Sequence, residues 1–191
     1  MKITLGPLTR KGWRWISAVV LAAAALWVVG TAQFGPKTEA AERSTAPQEG
    51  FSAPGFTFNT LDQDSLTLED LRGQAVILNF WASWCPPCQE EMPAMQSVYE
   101  TFKDQGLHIV AVNLAFQDST EAAQNFVDTL GLTFPVVMDE DGDVARQYRI
   151  SALPTTFFID ADGVIQEVVM GGPLSEALLY TRAESLLEGV R

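Results

Sequence analysis

The chain has 191 residues, 47% hydrophobic and 19% charged, with a net charge of −12. That length allows one domain with a full-sized core plus extras, and the composition is that of a globular protein. All 24 acidic residues but only eight of the twelve cations lie beyond residue 34, giving that part a charge of −16, which would repel nucleic acid and anionic lipid headgroups.

Lys2, Arg10, Lys11 and Arg14 precede Trp15 to Phe34, a run of twenty residues without a charge. As a helix such a run reaches about 30 Å, the thickness of a bilayer's hydrocarbon core. Residues 1–34 therefore read as a membrane anchor spanning at 15–34. The cations set the N-terminus in the cytoplasm and the remainder outside it. A cleavable signal peptide, with small residues at Gly30-Thr31-Ala32, is the alternative and would leave a soluble protein outside the membrane. Both place the rest of the chain where disulfide chemistry is possible. Residues 35–50, polar and small, read as a flexible tether, and 51–191 as the folded domain.

Within that domain, 56–60 and 65–68 predict a short hairpin around LDQD. The continuous apolar run 75–82 predicts a strand buried on both faces. WASWCPPCQEEMP follows directly, and the apolar spacing beyond it predicts a helix ending at Gly106. A second buried strand is expected at 107–115. A helix at 119–131, with Ser119 as its N-cap and Gly131 as its stop, comes next. A short strand at 134–138 and a short helix at 143–150 lead to strands at 155–160 and 164–171. Asp162-Gly163 turns that last hairpin. An amphipathic helix at 174–188 closes the chain. Strands alternating with helices, then a hairpin and a helix, imply a mixed sheet with helices on both faces.

Cys85 and Cys88 are the chain's two cysteines, with Pro86 and Pro87 between them. A structural disulfide closing so short a loop contributes little, because that gain grows with loop length. A structural zinc site needs four N or S ligands, and the chain offers two cysteines and His108. Redox exchange needs two neighbouring thiols, one to attack and one to resolve, which C-x-x-C spacing supplies. The pair falls where a buried strand ends and a helix begins. Unsatisfied N–H groups and the helix dipole there stabilise a thiolate. Cys85 at the cap is the expected attacking sulfur, and Cys88, one turn on and more buried, the resolving one.

W-x-x-W-C-x-x-C after an apolar strand, with A-L-P-T-T-F-F-I-D some way downstream, resembles the thioredoxin superfamily. The finer resemblance is to its membrane-anchored extracytoplasmic branch of ResA/TlpA/CcmG-like thiol-disulfide oxidoreductases, over about 51–191. The opening A-P-G-F-T-F and the extra helix and strand at 119–138 also match that branch. The resemblance implies a thioredoxin fold of the α/β class: a mixed central sheet flanked by helices, an N-terminal hairpin and a central helix-strand insertion. It implies that Cys85 and Cys88 form a redox-active disulfide, that Pro154 is a cis-proline facing it, and that backbone groups of Leu153 pair with an extended substrate. Glu91 matches the acidic position of C-x-x-C-x-x-E-x-P, with Pro93 at its proline. Asn79 stands where cytoplasmic thioredoxins carry a buried aspartate, which strengthens Glu91 as the proton-transferring group. The competing reading of Glu90 and Glu91 is a pair of acids complementing the positive end of a helix. Trp84 is expected as an apolar wall over the disulfide, Trp81 as core, and His108 as a structural histidine.

The expected activity is reduction of protein disulfides outside the cytoplasm, those of apocytochrome c among them. No cofactor and no metal is expected. Electrons would come from a membrane partner relaying from cytoplasmic thioredoxin. A disulfide-forming oxidant is the alternative within the class. A copper chaperone on the same fold would resemble C-x-x-x-C with a placed histidine, and a peroxidase would need a threonine before a lone cysteine. Neither pattern is present.

Overall fold

The computed structural model describes residues 44–61 and 64–189, together with Val20. The expected membrane span therefore lies, but for Val20, outside the described residues. Among the described residues no helix is long and apolar enough to cross a membrane. Residues 43–191 form one compact unit.

Five strands form the central sheet in the order β5-β4-β3-β6-β7. They are β3 (Ala75–Trp81), β4 (Leu107–Asn113), β5 (Val136–Met138), β6 (Thr155–Ile159) and β7 (Ile165–Met170), while β1 (Thr57–Asn59) and β2 (Ser65–Thr67) make a separate antiparallel hairpin. β3, β4 and β5 run parallel, whereas β6 and β7 run antiparallel to their neighbours. The sheet is thus mixed, as the alternation of strands and helices implied. Every residue of β3 is buried, which is why its sequence runs apolar without alternating. Burying Ile77, Leu78 or Phe80 stabilises the fold by about 1.5–3 kcal/mol each.

Four helices complete the unit: α1 (Pro86–Phe102), α2 (Thr120–Leu130), α3 (Asp143–Gln147) and α4 (Glu176–Glu188). α1 and α4 pack on one face through Met92, Met95, Leu179 and Ala183 against Ile77 and Ile109. The other face packs Phe56, Tyr148 and Phe157 against Leu78 and Phe80. Ser119 caps α2 by accepting from the Ala122 N–H at 3.1 Å, and Gly131 ends it in a left-handed conformation with φ of 61°. Several elements are shorter than their patterns, two of them for visible reasons. α3 stops at Gln147 because Arg149 leaves the helical region with φ of 54°. Leu68 begins a 3-10 turn (Leu68–Leu71) instead of extending β2.

Both sheet edges are covered. Leu61 N–H bonds to the Val136 carbonyl beside β5. On the opposite side the end of the expected tether lies along β7, where Gly50 N–H donates to Ile165 and Ile165 N–H to Phe51. Covered edges protect a sheet from pairing with other chains.

Candidate active site

The site grows out of the β3–α1 junction. β3 delivers Trp81 into the core, and the turn through Ser83 and Trp84 carries the chain to Cys85. Cys85 is the N-cap of α1, in extended conformation (φ −88°, ψ 109°), followed by Pro86 and Pro87 in the first helical positions. Proline fits there because those N–H groups would lack helical partners anyway. With both donors gone, the Cys88 N–H reaches the Cys85 sulfur at 3.4 Å. Cys85 and Cys88 are joined as a disulfide with Cα atoms 5.3 Å apart. Cys85 keeps 3% of its surface exposed and Cys88 none, so the expected order of exposure holds by a narrow margin.

A groove of about 360 Å³ opens over Cys85. Trp84, Cys85, Pro86 and Pro87 line one side, and Ile150, Ser151, Ala152 and Leu153 the other. The Leu153-Pro154 peptide bond is cis, and so is Gly172-Pro173, which the sequence reading did not single out. Trp84 is 53% exposed and its indole N–H donates to the Gln117 carbonyl at 2.9 Å. It therefore walls the groove instead of sealing the disulfide. Trp81 is fully buried against Phe126, as core.

Glu91 lies one turn beyond Cys88 on α1, the spacing at which helical side chains are neighbours. It is fully buried, whereas Glu90 beside it is exposed. One Glu91 oxygen accepts from Asn79 Nδ2 at 2.8 Å and the other from the Leu174 N–H at 3.0 Å. Asn79 also donates to Thr156 Oγ1 at 3.0 Å. A Cβ placed on Gly172 would come within 2.7 Å of both a Glu91 oxygen and the Pro154 ring. Glu91, Pro154 and the 172–174 turn are therefore packed together. Burial pushes the Glu91 carboxyl above its ordinary range, and the bonds from Leu174 and Asn79 only partly offset it.

A second carboxylate flanks the pair, and nothing in the sequence drew attention to it. Asp118 accepts from the Ser83 N–H and hydroxyl, both at 2.6 Å, from Asn113 Nδ2 at 2.8 Å and from the Ser119 N–H at 2.8 Å. Burial raises its pKa, but the bonds from Asn113, Ser83 and Ser119 outweigh that and hold the carboxyl below its ordinary range. Its signal in the sequence, an aspartate just before a helix cap, is shared by many solvated loops.

His108 pairs with Gln74, just before β3, remote from the groove, and burial lowers its pKa. Met92 and Met95 are buried in the core. Among the described residues no cluster of three or more His, Cys, Asp or Glu side chains could hold a metal ion.

A mixed sheet in this order, with a cysteine pair at a strand-to-helix junction and a cis-proline just before β6, defines a thioredoxin-fold enzyme of the thiol-disulfide oxidoreductase class. A match to the AhpC/TSA family covers residues 50–168. The thiol-disulfide oxidoreductase ResA of Oceanobacillus iheyensis is 43% identical over 146 residues, 74% of this chain and 72% of that protein. ResA of Bacillus subtilis is 42% identical over 132 residues, 69% and 72% of the two chains. A crystal structure of a putative thiol:disulfide interchange protein DsbE from Chlorobium tepidum superposes with a TM-score of 0.67 at 32% identity, covering 73% of this chain and 98% of that one. The chain belongs to the AhpC/TSA family and, within it, to the ResA-like thiol-disulfide oxidoreductases.

Proposed function

We propose that the protein reduces protein disulfides through Cys85 and Cys88, on the outer side of a membrane to which residues 15–34 anchor it. In the dithiol form the Cys85 thiolate attacks one sulfur of the substrate disulfide and expels the other as a thiolate. The Cys88 thiolate then attacks the Cys85 sulfur, releasing the second substrate thiol and leaving the Cys85–Cys88 disulfide. Two electrons pass to the substrate. Glu91 accepts the Cys88 proton as that sulfur becomes a nucleophile and returns it to a departing thiolate. Pro154 and Leu153 form the lip on which the substrate segment rests, and Trp84 the wall across from it.

The observation that carries the reading is the one sulfur at the floor of the groove, set at a helix cap and backed by a buried carboxyl. The direction of electron flow follows from its donors. Pro86 and Pro87 withhold two N–H groups, no cation lines the groove, and the surrounding charge is strongly negative. All three work against the helix dipole and the Cys88 N–H, which favour a thiolate at this cap, and it is thiolate stabilisation that makes an oxidant. The midpoint potential therefore lies below about −220 mV, on the thioredoxin side of the range. A membrane partner relaying electrons from cytoplasmic thioredoxin re-reduces the pair. The heme-attachment cysteines of apocytochrome c are the substrate class we favour.

Equilibrating the protein with glutathione buffers tests the direction. A midpoint near about −120 mV would make it a disulfide-forming oxidant instead. The cysteine roles are tested by trapping. Cys88→Ser accumulates mixed disulfides with substrate and Cys85→Ser does not; equal trapping by both would overturn the assignment.

A further inference from the structure

Beside the groove over Cys85 lies a second and larger one, of about 620 Å³. Its floor is apolar, formed by Tyr148, Ile150, Phe157 and Val168, with Met170 at its wall. Its outer wall is residues 47–49, the segment that runs along β7. The two grooves share Ile150 and Ser151, so one continues into the other along the lip leading to Pro154.

The groove has a buried apolar base and an open rim. The Tyr148 hydroxyl donates inward to the Pro54 carbonyl at 2.6 Å, and its ring, buried against Phe80 and Phe157, forms only the base of the groove. Glu49 accepts from the Val168 N–H at 3.2 Å, so the chain's own cover of β7 reaches Val168. Two residues on, Met170 is 69% exposed. Met170 walls the second groove, as Trp84 at 53% walls the first. Among the described residues, Arg149 alone takes a positive φ without being glycine. It shapes the turn from α3 into the shared lip. Held backbone outliers of this kind concentrate at functional sites.

We propose that the second groove is a subsite for the disulfide substrate, receiving an apolar side chain of the extended segment that carries the attacked cysteine. The proposal rests on the disulfide-reducing reading above. The lip runs over four residues, from the shared border at Ile150 and Ser151 to Leu153 beside Cys85. A strand lying alongside advances about 3.3 Å per residue, which places the apolar side chain about three to five residues from the cysteine. A volume of about 620 Å³ falls within the range of built ligand pockets. An extended peptide gains affinity from such a pocket while backbone pairing fixes its register.

The test uses the full chain in its dithiol form. Its substrates are peptides with one cysteine in mixed disulfide with thionitrobenzoate, carrying leucine or serine four residues before or after that cysteine. Attack on the peptide sulfur releases the coloured thiolate. In one of the two series the leucine peptide should react about tenfold faster, the order expected from burying part of a leucine side chain. In Met170→Glu, a change at an exposed position, that ratio should fall to near one. Equal rates for leucine and serine in both series would overturn the subsite, and so would a ratio unmoved by Met170→Glu. Wild-type protein that released no thiolate from any peptide, where dithiothreitol does, would overturn the disulfide-reducing reading itself. Met170→Glu converting a dimer to a monomer, without altering the ratio, would assign the groove to a second copy of the chain.

Discussion

Two carboxylates flank the cysteine pair, and their surroundings send them in opposite directions. Glu91 is fully buried and has two donors, Asn79 and the Leu174 N–H. Asp118 is partly exposed and collects four hydrogen bonds from Ser83, Asn113 and Ser119. Desolvation wins at Glu91, whose carboxyl holds its proton more tightly than usual. Donors win at Asp118, which stays ionised. A carboxyl that burial raises above its ordinary range is the better suited of the two to take up and release a proton, whereas one its donors hold as an anion serves to keep its neighbours in place. We therefore read Glu91 as the proton carrier and Asp118 as a latch on the turn leading into Cys85.

The largest expected effect sharpens that contrast. Glu91→Gln should slow disulfide exchange by about 10²-fold, the lower end for general acid–base catalysis, measured as the rate of substrate reduction at neutral pH. Asp118→Asn should leave that rate within a few-fold. If the two variants slow exchange alike, the distinction between carrier and latch fails.

Stability should show the reverse order. Asp118→Ala strands the Ser83 and Asn113 donors and should cost about 2 kcal/mol in urea unfolding, the scale of hydrogen bonds to a charged group. The pH profiles should also run oppositely. Between the ordinary glutamate range and the raised value of Glu91, the folded protein keeps a proton that the unfolded chain has released. Its stability relative to Glu91→Gln therefore falls as pH rises through that window, by at most about 1.4 kcal/mol per pH unit. Asp118 works the other way. Below the ordinary aspartate range the unfolded chain takes up a proton first, so the stability Asp118 contributes is lost as pH falls.

These contrasts also divide what the sequence could and could not show. The cap at Cys85, the prolines and the buried β3 are local patterns, legible because helix starts and doubly buried strands leave signatures within a few residues. Glu91 was legible as a motif position. Its surroundings were not, because Leu174 is 83 residues away in the chain and the 172–174 turn carries no periodic signal. Asp118 was hidden for the same reason, its Ser83 partner being 35 residues back. The larger groove joins residues 47–49 to β6, β7 and the end of α3, a meeting only the folded chain brings about. Residues 44–50 looked like tether because they are polar and small, yet Gly50 and Glu49 spend their polar groups on β7.

A smaller effect probes the packing around Glu91. Gly172→Ala sets a methyl group against both a Glu91 oxygen and the Pro154 ring. It should slow exchange about tenfold, less than losing the carboxyl, because the group is displaced and not removed. Smallest of all, Glu90→Gln should change the rate less than twofold, since that side chain is exposed. A large effect at Glu90 would favour the helix-dipole account of both acids.

The most direct test of the central claim is a carbon-13 NMR titration of the side-chain carboxyls in the dithiol form. The account predicts that Glu91 titrates above the ordinary glutamate range and Asp118 below the ordinary aspartate range. A Glu91 midpoint at or below the ordinary value would mean that the Asn79 and Leu174 donors outweigh its burial, and it would contradict Glu91 as the proton carrier.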